Sequence, residues 1–158
     1  MTHDVVRDGQ DALAKALRHV GNDNRENILL DELKRAVFVF ESDFEPPELK
    51  RFISQFPMGI FGINYDTGNS ASLGYQFQNE FKEYGDRILN VHIKDRLLGD
   101  TTVPLGTGNA KLPETIFALE RQGFRGNYIL QTARAVDGDH VGAICHYRDM
   151  VKDWVEKN

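Results

Sequence analysis

Four short apolar runs in this chain each close on or carry a side chain able to donate to a metal ion: FVFE ends on Glu41, FGINYD on Asp66, NVHIKD carries His92, and NYILQ ends on Gln131. The donors lie 25, 26 and 39 residues apart, each interval long enough for one strand and one helix. Two carboxylates, an imidazole and a carboxamide oxygen form a hard-to-borderline set that suits a divalent cation such as Mn2+, Mg2+ or Zn2+. Such a cation can hold a carbonyl and a neighbouring hydroxyl together and stabilise the enediolate formed when the intervening carbon loses its proton. Glu41 is the candidate general base beside it. Gln131 coordinates or donates a hydrogen bond, but a carboxamide takes up no proton near neutral pH. The chemistry expected is therefore a one-base isomerisation, a reaction with a substitute base such as Asp43 or Asp95, or a weakened enzyme.

Charged and polar neighbours extend this set. Arg134, three residues beyond Gln131, can grip a phosphate in bidentate fashion. Lys94 and Arg96 bring positive charge next to His92, and Asn69 and Asp95 complete the candidate substrate contacts. The glycines of PLGTGN allow backbone amides to approach an anion. Each residue also has a structural reading: Asp66 as an Asx-turn residue serving the bend at Gly68, His92 as a hydrogen-bonded core histidine, Asn69 as a loop anchor, Arg134 as a surface ion-pair partner. His3, His19, His140 and His146 have no partner at ligand spacing.

The elements that would position these residues alternate. DALAKALRHV sets Leu13, Leu17 and Val20 at helical spacing, and Val37–Phe40 is a run suited to a strand buried on both faces. PPELKRFISQF opens with prolines tolerated in a first turn and aligns Leu49, Phe52, Ile53 and Phe56. GIFGINYD predicts a second strand, DTGNSAS a polar connection, QFQNEFKEYG a short helix and ILNVHIKD a third strand. A long loop, RLLGDTTVPLGTGNAKL, leads to a helix starting at Pro113 and Glu114, then to the strand NYILQTA. A final helix over about 140–156 places Ile144, Tyr147, Val151 and Trp154 on one face. Right-handed crossovers make the strands parallel, so Glu41, Asp66, His92 and Gln131 share one rim.

Composition narrows the partners. With 158 residues and a formal charge of -5, from 19 Lys plus Arg against 24 Asp plus Glu, the chain reads as one domain without a basic block for nucleic acid. No apolar stretch reaches the roughly 18 to 20 residues of a membrane span, and the polar amino end is unlike a signal peptide, so a cytoplasmic protein is expected. Cys145 is alone, which excludes an internal disulfide, and it is expected to pack in the core.

FESDF, INYDTGN, VHIKD with PLGTGN, and ILQTAR, in that order, resemble the sugar-phosphate isomerase and epimerase family with the xylose-isomerase-like TIM barrel, over about residues 37–134. In that family a Glu, an Asp, a His and a second Glu at strand ends bind one divalent metal. The resemblance implies Glu41, Asp66 and His92 as ligands, with Gln131 in place of the last Glu, which serves as the second base in the epimerases. It implies an α/β fold, a partial (half) TIM barrel of about four parallel strands with flanking helices in a single domain over 1–158, matching the second half of the family's barrel. The implied partner is a sugar or sugar phosphate. Free sheet edges lead to an expected homodimer or higher oligomer. Two other classes stand beside this reading: a non-catalytic binding or assembly remnant, and an endonuclease-like metal hydrolase, disfavoured by the acidic charge and the small ligand set.

Overall fold

A computed structural model of the chain describes residues 36–157. The helix expected over 11–20, together with His3 and His19, lies outside the described residues. In chain order the elements are β1 (Phe38–Phe40), α1 (Pro46–Ile53), β2 (Phe61–Asp66), α2 (Thr67–Leu73), α3 (Phe77–Tyr84), β3 (Ile88–Ile93), β4 (Asp95–Arg96), β5 (Thr102–Val103), α4 (Leu112–Arg121), β6 (Asn127–Leu130) and α5 (His140–Glu156). β1, β2, β3 and β6 form one sheet in the order β1-β2-β3-β6, and every neighbouring pair is parallel. This is the four-stranded parallel layer with flanking helices that the sequence predicts. Among the described residues the sheet is open, with β1 and β6 each paired on one side.

Alternation along the strands decides what each face does. Ile63 and Tyr65 on β2, and Val91 and Ile93 on β3, are buried in the core together with Leu49 and Ile53 of α1, Phe81 and Tyr84 of α3, and Ile116 and Leu119 of α4. The residues between them, Asn64 and Asp66 on β2 and Asn90 and His92 on β3, therefore share the opposite face. A side chain as fully buried as Ile116 contributes about 1.5–3 kcal/mol by leaving water. Helix α1 is fixed to β1 by aromatic contacts, with Phe40 edge-on to Phe52 at 5.1 Å and Phe56 at 5.1 Å from the same ring.

Three segments depart from expectation. DTGNSAS is not a simple connection: it forms α2, capped by Asp66 and ended by Gly74 in the left-handed conformation at φ 79°. Its small polar residues carry no apolar stripe, so periodicity missed a helix that capping chemistry starts. The long loop contains a two-stranded antiparallel pair, β4 with β5. Cys145 is exposed, not packed in the core. The buried face of α5 runs through Tyr147 and Val151, and a residue two positions before Tyr147 is turned about 200° around the helix from it. Ile144, expected under cover, is likewise 43% exposed. No helix among the described residues is long and apolar enough to cross a membrane.

Candidate metal centre

The parallel register brings the strand ends together. Asp66 closes β2 directly opposite His92 on β3, and Glu41 follows β1 by one residue. One ligand atom from each of Glu41, Asp66 and His92 lies within 4.8 Å of the others. His92 Nδ1 is 3.4 Å from Glu41 Oε2 and 3.8 Å from Asp66 Oδ2. Burial is graded across the group: the Asp66 side chain is 1% exposed, that of His92 20% and that of Glu41 39%. The least solvated carboxylate forms the floor and the most accessible faces the opening.

Asp66 caps the helix that follows it, and its second oxygen faces the other candidate donors. Its Oδ1 accepts from Asn69 N at 2.8 Å, capping α2, which leaves Oδ2 turned toward His92 and Lys94. The cap fixes the rotamer of the carboxylate, so the helix start and the direction of its free oxygen are set by one geometry.

Beneath the three donors lies a polar layer that sequence reasoning did not find. Asn64 Nδ2 donates to Glu41 Oε2 at 2.7 Å and lies 3.1 Å from His92 Nδ1, while Asn64 Oδ1 accepts from Asn90 Nδ2 at 2.6 Å. Asn64 and Asn90 each precede a site residue by two positions, and the two-residue period of a strand puts them on the same face. That spacing was the signal available for finding them.

Lys94 crosses the open side. Its Nζ donates to Gln131 Oε1 at 2.8 Å, Asn69 Oδ1 at 3.2 Å and Asp66 Oδ2 at 3.3 Å. Gly68 makes room for the stem, since a Cβ there would lie 2.6 Å from Lys94 Cγ. Thr67 Oγ1 donates to Lys94 O at 2.6 Å and accepts from Lys94 N at 2.9 Å, tying α2 to the end of β3. Asn69 is held in turn: its Nδ2 donates to Glu41 Oε1 at 2.9 Å, and its Oδ1 also accepts from Arg96 Nη1 at 3.2 Å. Gln131, just past β6, thus reaches the site's edge through Lys94.

Asp95 has a different job from the one expected. It is 1% exposed, and its carboxylate accepts from the backbone amides of Gly106 at 2.9 Å, Gly108 at 2.9 Å and Ala110 at 3.0 Å. PLGTGN does cradle an anion, but the anion is this internal side chain. A Cβ at Gly108 would meet Asp95 Oδ1 and the Arg96 carbonyl. Asp95 is thus buried with both oxygens accepting from its own loop, turned away from solvent. Arg134 is exposed, as is Asp43, whose backbone carbonyl accepts from Tyr75.

Behind Asp66 a second buried cluster braces the site. Glu80, 2% exposed, accepts from Tyr65 at 2.9 Å, from Ser70 at 2.5 Å and from Tyr84 at 2.8 Å. Tyr65 belongs to β2, Ser70 to α2 and Glu80 to α3, so one carboxylate clamps three elements at the back of the site. Burial, and then the Glu80 charge, push the phenols of Tyr65 and Tyr84 well above their ordinary value.

Donors around one tetrahedral ion with bonds near 2.0–2.2 Å stand about 3.3 to 3.6 Å apart. The Glu41, Asp66 and His92 group, with ligand atoms within 4.8 Å of one another, therefore fits a divalent ion if its widest pair draws in by about 1 Å. Comparison with known proteins agrees with the architecture. A family described as xylose isomerase-like TIM barrel matches residues 6–148. A xylose isomerase domain protein from Planctomyces limnophilus superposes with a TM-score of 0.64 at 20% identity, covering 77% of this chain and 47% of that one. One from Alicyclobacillus acidocaldarius subsp. acidocaldarius gives 0.59 at 17% identity, covering 71% and 43%. The chain thus spans about half the length of the structures it matches. No protein of curated function matches it significantly.

Proposed function

The chain belongs to the xylose isomerase-like TIM-barrel family, and on that premise we propose that it is a metal-dependent isomerase or epimerase of a sugar or sugar phosphate, acting through an enediolate. The observation that carries this reading is the convergence of Glu41, Asp66 and His92 within 4.8 Å at parallel strand ends. These three residues would hold Mn2+, Mg2+ or Zn2+. A divalent ion so held supplies Lewis-acid stabilisation of the charge that develops on the substrate's oxygens.

This chain's residues do the rest. Glu41, the most accessible of the three, takes the proton from the hydroxyl-bearing carbon and returns it to the neighbouring carbonyl carbon, while the hydroxyl proton passes to the former carbonyl oxygen, so that no atom is gained or lost. Asn64 holds Glu41 Oε2 and so orients the base. Gln131 takes no proton, and Asp95 is consumed by its loop, so no second base faces Glu41 from either position. One-base isomerisation between aldose and ketose fits this set better than two-base epimerisation. Arg96 and Arg134 are the cationic side chains proposed to meet a substrate phosphate.

The experiment is a metal-loaded assay of aldose–ketose interconversion on a panel of sugars and sugar phosphates, with Glu41→Gln as control. Interconversion that disappears in Glu41→Gln supports the reading, and an inactive panel with metal bound favours a non-catalytic binding domain. Hydrolysis of a nucleic acid would favour the nuclease reading. Among the described residues one potential metal group is found, fewer than a three-metal hydrolase requires. We also propose self-association through the edges at β1 and β6, where Val39 and Ile129 are 40% and 44% exposed. Sedimentation showing a monomer at micromolar concentration would refute it.

A further inference from the structure

Asp66 has one oxygen to offer. Oδ1 is committed to the cap of α2 through Asn69 N at 2.8 Å, so only Oδ2 faces the other donors. That same oxygen already carries a cation, the ammonium of Lys94 at 3.3 Å. Lys94 is not a loose surface side chain that has fallen into the site. It is 16% exposed, its stem lies against Gly68, its backbone is bonded to Thr67, and its Nζ is anchored by Gln131 Oε1 at 2.8 Å and Asn69 Oδ1 at 3.2 Å.

We infer that Lys94 is a built-in competitor for the metal, held on Asp66 by Gln131, and that Gln131 acts as the anchor of this lysine and not as a fourth protein ligand. The inference rests on the metal reading above and deepens it. Two cations that share one carboxylate oxygen compete for it, and brought within a few ångströms of each other they repel. A divalent ion bound by Glu41, Asp66 and His92 must therefore loosen Lys94 from Asp66. Gln131 Oε1, which accepts from Lys94 Nζ at 2.8 Å, would then hold the displaced ammonium at the rim. Glu41, Asp66 and His92 would then be the ion's protein ligands, leaving it open to substrate oxygen.

Two consequences separate this from ligation by Gln131. Removing the lysine charge should tighten metal binding, and removing the glutamine side chain should not weaken it. The test is calorimetric titration with Mn2+ of the wild-type chain, Lys94→Met, Lys94→Arg, Gln131→Ala and His92→Ala, each checked for folding by thermal melting. The inference expects Lys94→Met to bind about tenfold or more tightly than wild type, Lys94→Arg to stay near wild type, and Gln131→Ala to bind no more weakly than wild type. Lys94→Gln, which keeps a polar group for the anchor, gives the same reading if Lys94→Met fails to fold. Unchanged or weaker binding without the lysine charge overturns the inference, as does a loss of about tenfold or more in Gln131→Ala. If those results come with binding that His92→Ala abolishes, the metal reading stands and only the competitor role falls. If neither the wild type nor the charge-free lysine variants bind Mn2+, both fall together.

Discussion

Asp66 and His92 are Cα partners across the β2–β3 ladder, with Asp66 Oδ2 3.8 Å from His92 Nδ1. The pair lies on the sheet face opposite Ile63, Tyr65, Val91 and Ile93. A one-residue slip in this register would turn one of the two into the core, so the ladder that builds the fold also builds the site.

Asn64 is the support of this arrangement, donating to Glu41 Oε2 while its own oxygen is held by Asn90. Replacement by the near-isosteric Leu should leave the chain folded, with Glu41 held only through Oε1 by Asn69 and its Oε2 no longer positioned. The expected result is a metal affinity lower by about 10- to 100-fold, read by Mn2+ titration. An unchanged affinity would mean that Asn64 does not orient the ligands.

Asp95 is expected to matter for stability. Asp95→Ala leaves three backbone amides of the 106–110 loop without their acceptor. At about 1–3 kcal/mol for each buried group left unpaired, a loss of several kcal/mol is expected in urea unfolding, with solvent entering the loop and reducing the total. A loss below about 1 kcal/mol would show that water replaces the carboxylate at little cost.

Two buried phenols, Tyr65 and Tyr84, and the half-buried Tyr128 give a pH signature. Burial raises Tyr65, Tyr84 and Tyr128 above the ordinary tyrosine value, and Glu80 or Glu120 adds to the shift in each case. A group whose pKa is higher folded than unfolded contributes stability that is complete below the unfolded value, about 10. That stability is lost as pH rises from there toward the folded value. Unfolding midpoints should therefore fall above about pH 10, with little tyrosinate absorbance from these three rings before unfolding. Their ionisation in the native protein near pH 10 would contradict the packing described.

Much of this was readable from residue order. The four runs closing on Glu41, Asp66, His92 and Gln131 announced a parallel sheet, and three of the four donors do converge. The bounds of α5 and the prolines opening α1 and α4 were equally plain, because an apolar stripe and a fixed φ are local properties. What escaped depended on contacts between distant segments. Helix α2 has no apolar stripe, and its start depends on the side chain that also faces His92. Nothing local reveals that Asp95 is sealed by amides 11 to 15 residues away. The Asn64–Asn90 layer was within reach of the period-two rule, but asparagine in a strand is easily passed over as a depleted residue type.

The account stands on the claim that Glu41, Asp66 and His92 together hold one divalent ion. Metal analysis of the purified chain after loading with Mn2+ and removal of the excess tests it directly, alongside Glu41→Ala, Asp66→Ala and His92→Ala. The account predicts one equivalent bound to the wild type and none to any of the three folded variants. A wild type that retains no metal, or a full equivalent retained by all three variants, would contradict it.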